Sequence, residues 1–169
     1  SIQVYYGNGR GKTTAALGLG IRAAGVGKQV IMVQFLKKKH SDTLDFLKKL
    51  EPELQIFRFE KAACGYSDLS PKEKQEQMLN IKNALGYSRK VLDTGQCDLL
   101  ILDEIFGLVD YNIITIEELM DLIAVKKDSM DLILTGRNLP EEVREIADCV
   151  YSIQREKEKT PEILAQGIS

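Results

Sequence analysis

The stretch Gly7-Asn8-Gly9-Arg10-Gly11-Lys12-Thr13-Thr14 constrains this chain more than any other. It follows a short apolar run, Ile2 to Tyr6, and opens an Ala- and Leu-rich run at 13–25 with helical character. Strand, glycine loop and helix in that order are the setting of a phosphate-binding loop, whose common spacing is G-x-x-x-x-G-K-[ST]. Here only three residues separate Gly7 from Gly11, and Tyr6 stands where the first glycine would be. Glycines let backbone N–H groups turn toward an anion, and a helix N-terminus adds partial positive charge. Lys12 can reach a phosphate oxygen, Arg10 is a second cation in the loop, and Thr13 is placed to put its hydroxyl on Mg²⁺.

The rest of the chain repeats the alternation. Apolar runs at 29–35, 54–59, 98–104, 131–137 and 149–153 read as strands. Between them lie helical patterns at 41–50 (capped by Ser41, ended by Pro52), from Ser70 onward, from Thr115 onward, and at 140–148. Ser70-Pro71-Lys72-Glu73 and Thr115-Ile116-Glu117-Glu118 are capping boxes. After the first, Met78, Ile81, Leu85 and Leu92 form one apolar face; after the second, Ile116, Leu119, Met120 and Ile123 do. The helix at 13–25 closes at Gly25 and Gly27, and a charged tail begins at Gln154. Strands alternating with helices predict one α/β domain, a mostly parallel sheet with helices on both faces. Its 169 residues suffice for a single core.

In such sheets ligands bind at the carboxyl ends of the strands. Four segments should meet there: the glycine loop, Gln34 to His40, Asp103-Glu104, and Thr135-Gly136-Arg137. The acid pair ends an apolar strand, as in a Walker B strand, and its carboxylates would hold Mg²⁺ directly or through water. Arg137 is either a fork for phosphate or carboxylate groups or part of a plain turn. Lys37-Lys38-Lys39-His40 is either a solvated basic loop or one facing an anionic ligand. Tyr66, in Cys64-Gly65-Tyr66, either anchors its loop or lies over a flat ligand.

Composition excludes several classes. A net charge of −2 gives no global field for nucleic acid. No apolar run approaches the roughly 18–20 residues needed to span a bilayer, and no charged-then-apolar leader is present, so export is not expected. The three cysteines are odd in number and far apart, which argues against a disulfide framework or structural zinc and for a reducing cytoplasm. With His40 the only histidine, Ser-His-Asp chemistry has little to work with.

The segments "GNGRGKTTAALGLGIRAAG", "VQFLK", "LLILDE" and "LTGR…ADCV" closely resemble the P-loop ATP:corrinoid adenosyltransferases of cobalamin biosynthesis and salvage, in order over roughly the first 150 residues. The resemblance implies a RecA-like sheet, a homodimer, and transfer of the 5′-deoxyadenosyl group of ATP to the Co(I) of a reduced corrinoid, with triphosphate released. It also implies a triphosphate running opposite to that of ordinary P-loop enzymes, Mg²⁺ (or Mn²⁺), and a flavin-type protein as reductant. Carried over by position, Gly7, Asn8, Gly9, Arg10, Gly11, Lys12, Thr13 and Thr14 hold the triphosphate, with Arg22 and Arg137 as further ATP contacts. Thr13 and Glu104 carry the metal with Asp103 beside them; Lys12, Thr13 and Glu104 are the catalytic set. Gln34, Phe35, Lys37 and Tyr66 would face the corrinoid. The chain departs from the family where an aromatic F-T-W segment is replaced by "GYSDLS" and where "EKEKTPEILAQGIS" stands in place of the C-terminal K-H-x-[FY]; the extension that longer members use as an N-terminal lid is not among these residues. Two other readings stay open on these residues: a nucleoside kinase-like phosphotransferase, and an ATP-dependent corrinoid carrier that binds without transfer.

Overall fold

The computed structural model describes residues 1–38, 43–61 and 68–158, with the backbone alone at 37, 38, 43, 44, 60 and 61. Among these residues the strands are β1 (Ile2–Tyr6), β2 (Val30–Lys38), β3 (Leu54–Lys61), β4 (Leu99–Asp103), β5 (Asp131–Gly136) and β6 (Cys149–Ser152). They form one sheet in the order β3-β2-β4-β5-β1-β6. Every pairing is parallel, so the expected α/β P-loop fold holds, with no antiparallel strand among the described residues. One strand, β5, stands between the loop-bearing β1 and the acid-bearing β4.

The helices are α1 (Lys12–Gly25), α2 (Thr43–Leu47, continued by a 3₁₀ turn at Lys48–Leu50), α3 (Pro71–Thr94), α4 (Ile105–Asp110), α5 (Ile116–Ala124) and α6 (Glu141–Ile146). At the start of α3 the capping box is complete: Glu73 N–H donates to Ser70 Oγ at 3.2 Å, and Ser70 N–H donates to the Glu73 carboxylate at 2.8 Å. At α5 the Thr115 hydroxyl accepts from Glu118 N–H at 3.1 Å. Ser41, the expected cap of α2, lies outside the described residues. None of the described helices is long and apolar enough to cross a membrane.

The faces of the sheet are unequal. Even-numbered β4 residues Leu100 and Leu102 enter a large cluster covered by α3, α4, α5 and α6. Leu99 and Ile101 enter a smaller cluster beneath α1, with Val30, Met32, Leu54 and Ile133. A Cβ on Gly20 would stand 3.1 Å from Ile101 Cδ1, so the small residues of α1 let it lie close on β4. Each fully buried Leu or Ile contributes roughly 1.5–3 kcal/mol. Alternation then carries Asp103, two residues beyond Ile101, to the α1 face at the carboxyl edge, where the apolar layer ends.

On α3 the buried positions are Gln77, Ile81, Ala84, Ser88, Val91 and Leu92. The expected stripe was displaced: Met78 and Leu85 are only half-buried. Ser88 tolerates burial because its hydroxyl donates to Ala84 O at 2.8 Å.

Candidate active site

Parallel register brings the described parts of the four segments to one edge; Lys39 and His40 lie outside the described residues. Gln34 lies opposite Asp103, and Tyr6 opposite both Gly136 and Ser152. The loop after β1 is held largely by backbone. Gly7, at φ 128°, donates its N–H to Gly136 O (3.2 Å) and Arg137 O (3.1 Å). Gly9 N–H donates to Ile153 O at 2.9 Å, and Ile153 N–H donates to Tyr6 O at 2.7 Å. Arg155 N–H then donates to Asn8 Oδ1 at 3.2 Å. A Cβ on Gly7 would stand 2.2 Å from Ile153 O, and one on Gly9 2.8 Å from the same atom. Residues Ile153–Arg155 are therefore a strap beneath the loop. The first two loop glycines answer to that strap: both are buried, and both have their N–H groups directed into the protein.

Gly11 differs. It caps α1 at φ 103°, and nothing lies within 4 Å of a Cβ built there. Its side of the loop faces open space at the N-terminus of α1, where an anion is favoured. Lys12 Nζ donates to Gly9 O at 2.8 Å, folding the ammonium across the loop. Arg10 and Thr14 are exposed beside it.

Asp103 is fully buried, and its carboxylate accepts from three side chains. The Thr13 hydroxyl lies 3.0 Å from both carboxylate oxygens. The Thr135 hydroxyl donates to Oδ1 at 2.7 Å, and Gln34 Nε2 donates to Oδ2 at 3.2 Å. Thr135 Oγ1 in turn accepts Glu104 N–H at 2.8 Å. Burial of a carboxylate is tolerable only with such satisfaction. The acid thus clamps Thr13, at the start of α1, to the end of β4.

Glu104 is positioned differently. It is half-buried and caps α4 in the left-handed region, φ 63° and ψ 24°. For a non-glycine residue this conformation costs on the order of 1–3 kcal/mol and needs surrounding structure to hold it. That structure is α4, wedged between two strand ends. A Cβ on Gly136 would stand 2.4 Å from Phe106 Cβ, and one on Gly107 2.8 Å from Leu36 Cδ1. Leu36 is itself left-handed at φ 57°, where β2 shifts register against β3 between Gln34 and Lys37.

Other expected residues fall apart. Arg137 is exposed at the end of β5, and its carbonyl serves the loop. Arg22 is exposed in the last turn of α1, about 15 Å along the helix from Lys12 at 1.5 Å per residue, away from the loop. Phe35 is fully buried and stacks on Phe59 with ring centroids 6.4 Å apart, so it offers no surface to a corrinoid. Gln34, 4% exposed, spends both ends of its amide inside the protein. The side chain of Lys37, and Tyr66, His40 and Cys64 entirely, lie outside the described residues. Sequence reading missed Arg58, which meets Gln34, and the strap. Arg58 alternates with apolar neighbours as any strand residue does, and its partner follows only from register.

This geometry defines a P-loop nucleotide-binding α/β protein in which the loop helix is tied to an acid-bearing strand. More particularly, the chain belongs to the ATP:corrinoid adenosyltransferase family: the family model described as ATP:corrinoid adenosyltransferase BtuR/CobO/CobP matches residues 1–168. The corrinoid adenosyltransferase of Escherichia coli (strain K12) is 30% identical over 153 residues, covering 90% of this chain and 76% of that protein. Corrinoid adenosyltransferase CobA of Salmonella typhimurium (strain LT2) matches with the same identity and coverage, 30%, 90% and 76%. Among solved structures, domain III of the Thermotoga maritima replication initiation protein DnaA aligns with a TM-score of 0.45 at 16% identity, over 97% of this chain and 58% of that one.

Proposed function

We propose that this protein transfers the 5′-deoxyadenosyl group of ATP to the cobalt of a reduced corrinoid. The Co–C5′ bond forms with the cobalt's electron pair, the C5′–O bond breaks, and triphosphate leaves. The observation that carries this reading is the short loop clamped to Asp103 through Thr13, in a chain that matches this family along nearly all its length. The nucleophile belongs to the substrate, so the protein's work is binding, orientation and charge stabilisation. Lys12 swings from Gly9 O onto the triphosphate. The first-turn backbone of α1 and Gly11 line the anion.

A hard divalent cation such as Mg²⁺ (or Mn²⁺) suits the oxygen donors here, the Thr13 hydroxyl and the Glu104 carboxylate. Asp103 acts behind them, because its oxygens already accept from Thr13, Thr135 and Gln34. Mg²⁺ characteristically takes one or two carboxylates plus phosphate oxygens rather than a protein cage. Consistent with that, no cluster of three or more His, Cys, Asp or Glu occurs among the described residues. The chemistry such an ion supplies is neutralisation of charge on the leaving triphosphate. The acceptor we assign is cob(I)yrinic acid a,c-diamide or cob(I)alamin. The working form is a cytoplasmic homodimer served by a flavin-type reductant protein, with neither nucleic acid nor membrane as partner.

The test is anaerobic. With MgATP and chemically reduced corrinoid, the Co(I) absorbance should decay as triphosphate appears in equal amount. Lys12→Ala should slow transfer at least about 100-fold. ADP with a phosphorylated acceptor would overturn the reading in favour of a kinase, and ATP binding without turnover would overturn it in favour of a carrier.

A further inference from the structure

Arg58 takes no part in the chemistry proposed above, yet it completes a polar rung across the sheet. Arg58 on β3 pairs in register with Gln34 on β2, and Gln34 pairs with Asp103 on β4. Arg58 donates through Nε (3.1 Å) and Nη2 (3.0 Å) to the single oxygen Gln34 Oε1. The other end of that amide, Nε2, donates to Asp103 Oδ2 at 3.2 Å. The rung continues through Thr135 on β5.

The chemistry of the three groups leaves one orientation. A guanidinium only donates and a carboxylate only accepts. An amide has one accepting and one donating end, so it can join them in one sense alone. Turned over, Gln34 would aim its NH₂ at the guanidinium and its oxygen at the carboxylate, losing three hydrogen bonds at a site that is 4% exposed. We infer that Arg58 is a positioning residue for the nucleotide–metal site. By fixing the sense of the Gln34 amide it keeps Asp103 Oδ2 satisfied, and so keeps the Thr13 hydroxyl shared between both carboxylate oxygens, its lone pairs directed outward. Gln34 is then part of the metal-orienting network and not a corrinoid contact.

This inference rests on reading Thr13 and Asp103 as the metal–nucleotide end of the site, so the test reads binding separately from transfer. Affinity for MgATP and for ATP in the presence of EDTA is measured by titration calorimetry on the full chain. Arg58→Met should weaken MgATP binding about 10-fold, while changing metal-free ATP binding less than about twofold. Gln34→Met should do the same, and the double variant should be no worse than either single one, since Arg58 acts through Gln34. Arg58→Lys, which still presents only donors, should recover most of the loss. Equal weakening with and without metal, or additive single effects, would make Arg58 a direct phosphate contact and overturn the inference. Lowered thermal stability with an unchanged ratio of MgATP to ATP affinity would reduce it to packing and overturn it likewise. If the binding pattern holds while the wild type transfers no adenosyl group, the proposed reaction falls and the relay stands.

Discussion

The two halves of the site are built from different materials. The loop is held by main chain: Gly7 and Gly9 point N–H groups at carbonyls of β5's end and of the strap, and their missing side chains make room for Ile153. The acid is held by side chains: Thr13, Thr135 and Gln34 converge on Asp103, and Arg58 fixes Gln34. A backbone-built half is sterically intolerant, because a carbonyl cannot move without moving a strand. A side-chain-built half is chemically intolerant, because each member must keep its sense of donation. The two should therefore break in different ways.

The largest effect is expected in the loop. Gly7→Ala would place a Cβ 2.2 Å from Ile153 O at φ 128°. Clash with backbone and conformational strain together should cost at least about 3–4 kcal/mol, seen by denaturant unfolding or as loss of soluble protein. Gly11→Ala is the internal control. It carries strain of about 1–2 kcal/mol but meets nothing within 4 Å. It should fold, yet lose ATP binding, because its open side is the one a triphosphate would fill. If Gly7→Ala proves neutral in stability, or Gly11→Ala binds ATP normally, the division of the loop into strap-facing and ligand-facing glycines is wrong.

The acid half gives the next effect. Thr135→Val keeps the shape of a fully buried side chain but removes the donor to Asp103 and the acceptor for Glu104 N–H. Leaving a buried carboxylate and an N–H short of partners should cost about 2–3 kcal/mol. It should also weaken MgATP binding, since Glu104 and Thr13 both lose a reference point. Unfolding energy and MgATP affinity that both match the wild type would show that the network is not what holds the acid.

Local signals carried much of this. Apolar strands, glycine stops, the Ser70 cap and the strand–loop–helix junction all rest on neighbours in sequence, and the rule of carboxyl-end binding then grouped the glycine loop, Gln34, Asp103 and Gly136, which register places at one edge. What escaped depends on register or on short length. Helix α4, Ile105–Asp110, is under two turns and shows no period, yet it holds Glu104. Arg58 matters because it stands opposite Gln34, which one strand's pattern cannot reveal. Family resemblance alone assigns Phe35 to the corrinoid, but alternation turns it to the face opposite Gln34, into the larger core. Arg22 lies in a family-like stretch, but helical rise carries it to the far end of α1. Of the strap, Ile153 read as the end of the last strand and Gln154 onward as a charged tail, because nothing in their composition announces contact with a loop some 145 positions earlier.

The smallest effect sharpens the comparison most, because Asn8 belongs to the loop but is held by a side-chain bond. Its Oδ1 accepts from Arg155 N–H at 3.2 Å on an exposed surface. Asn8→Ala should therefore cost no more than about 1 kcal/mol and leave ATP affinity within about threefold. Asn8→Asp separates the two roles the residue could have. A carboxylate still accepts from Arg155 N–H, in a stronger charge-assisted bond, so stability should be kept. The same charge repels a triphosphate seated above the loop, so ATP affinity should fall by about 3–10-fold, less at high salt. Should Asn8→Ala instead weaken ATP binding more than tenfold at unchanged stability, Asn8 would be a phosphate ligand. The loop would then hold its anion with a side chain, as the acid half holds Thr13, and the contrast between the halves would narrow to the glycines alone.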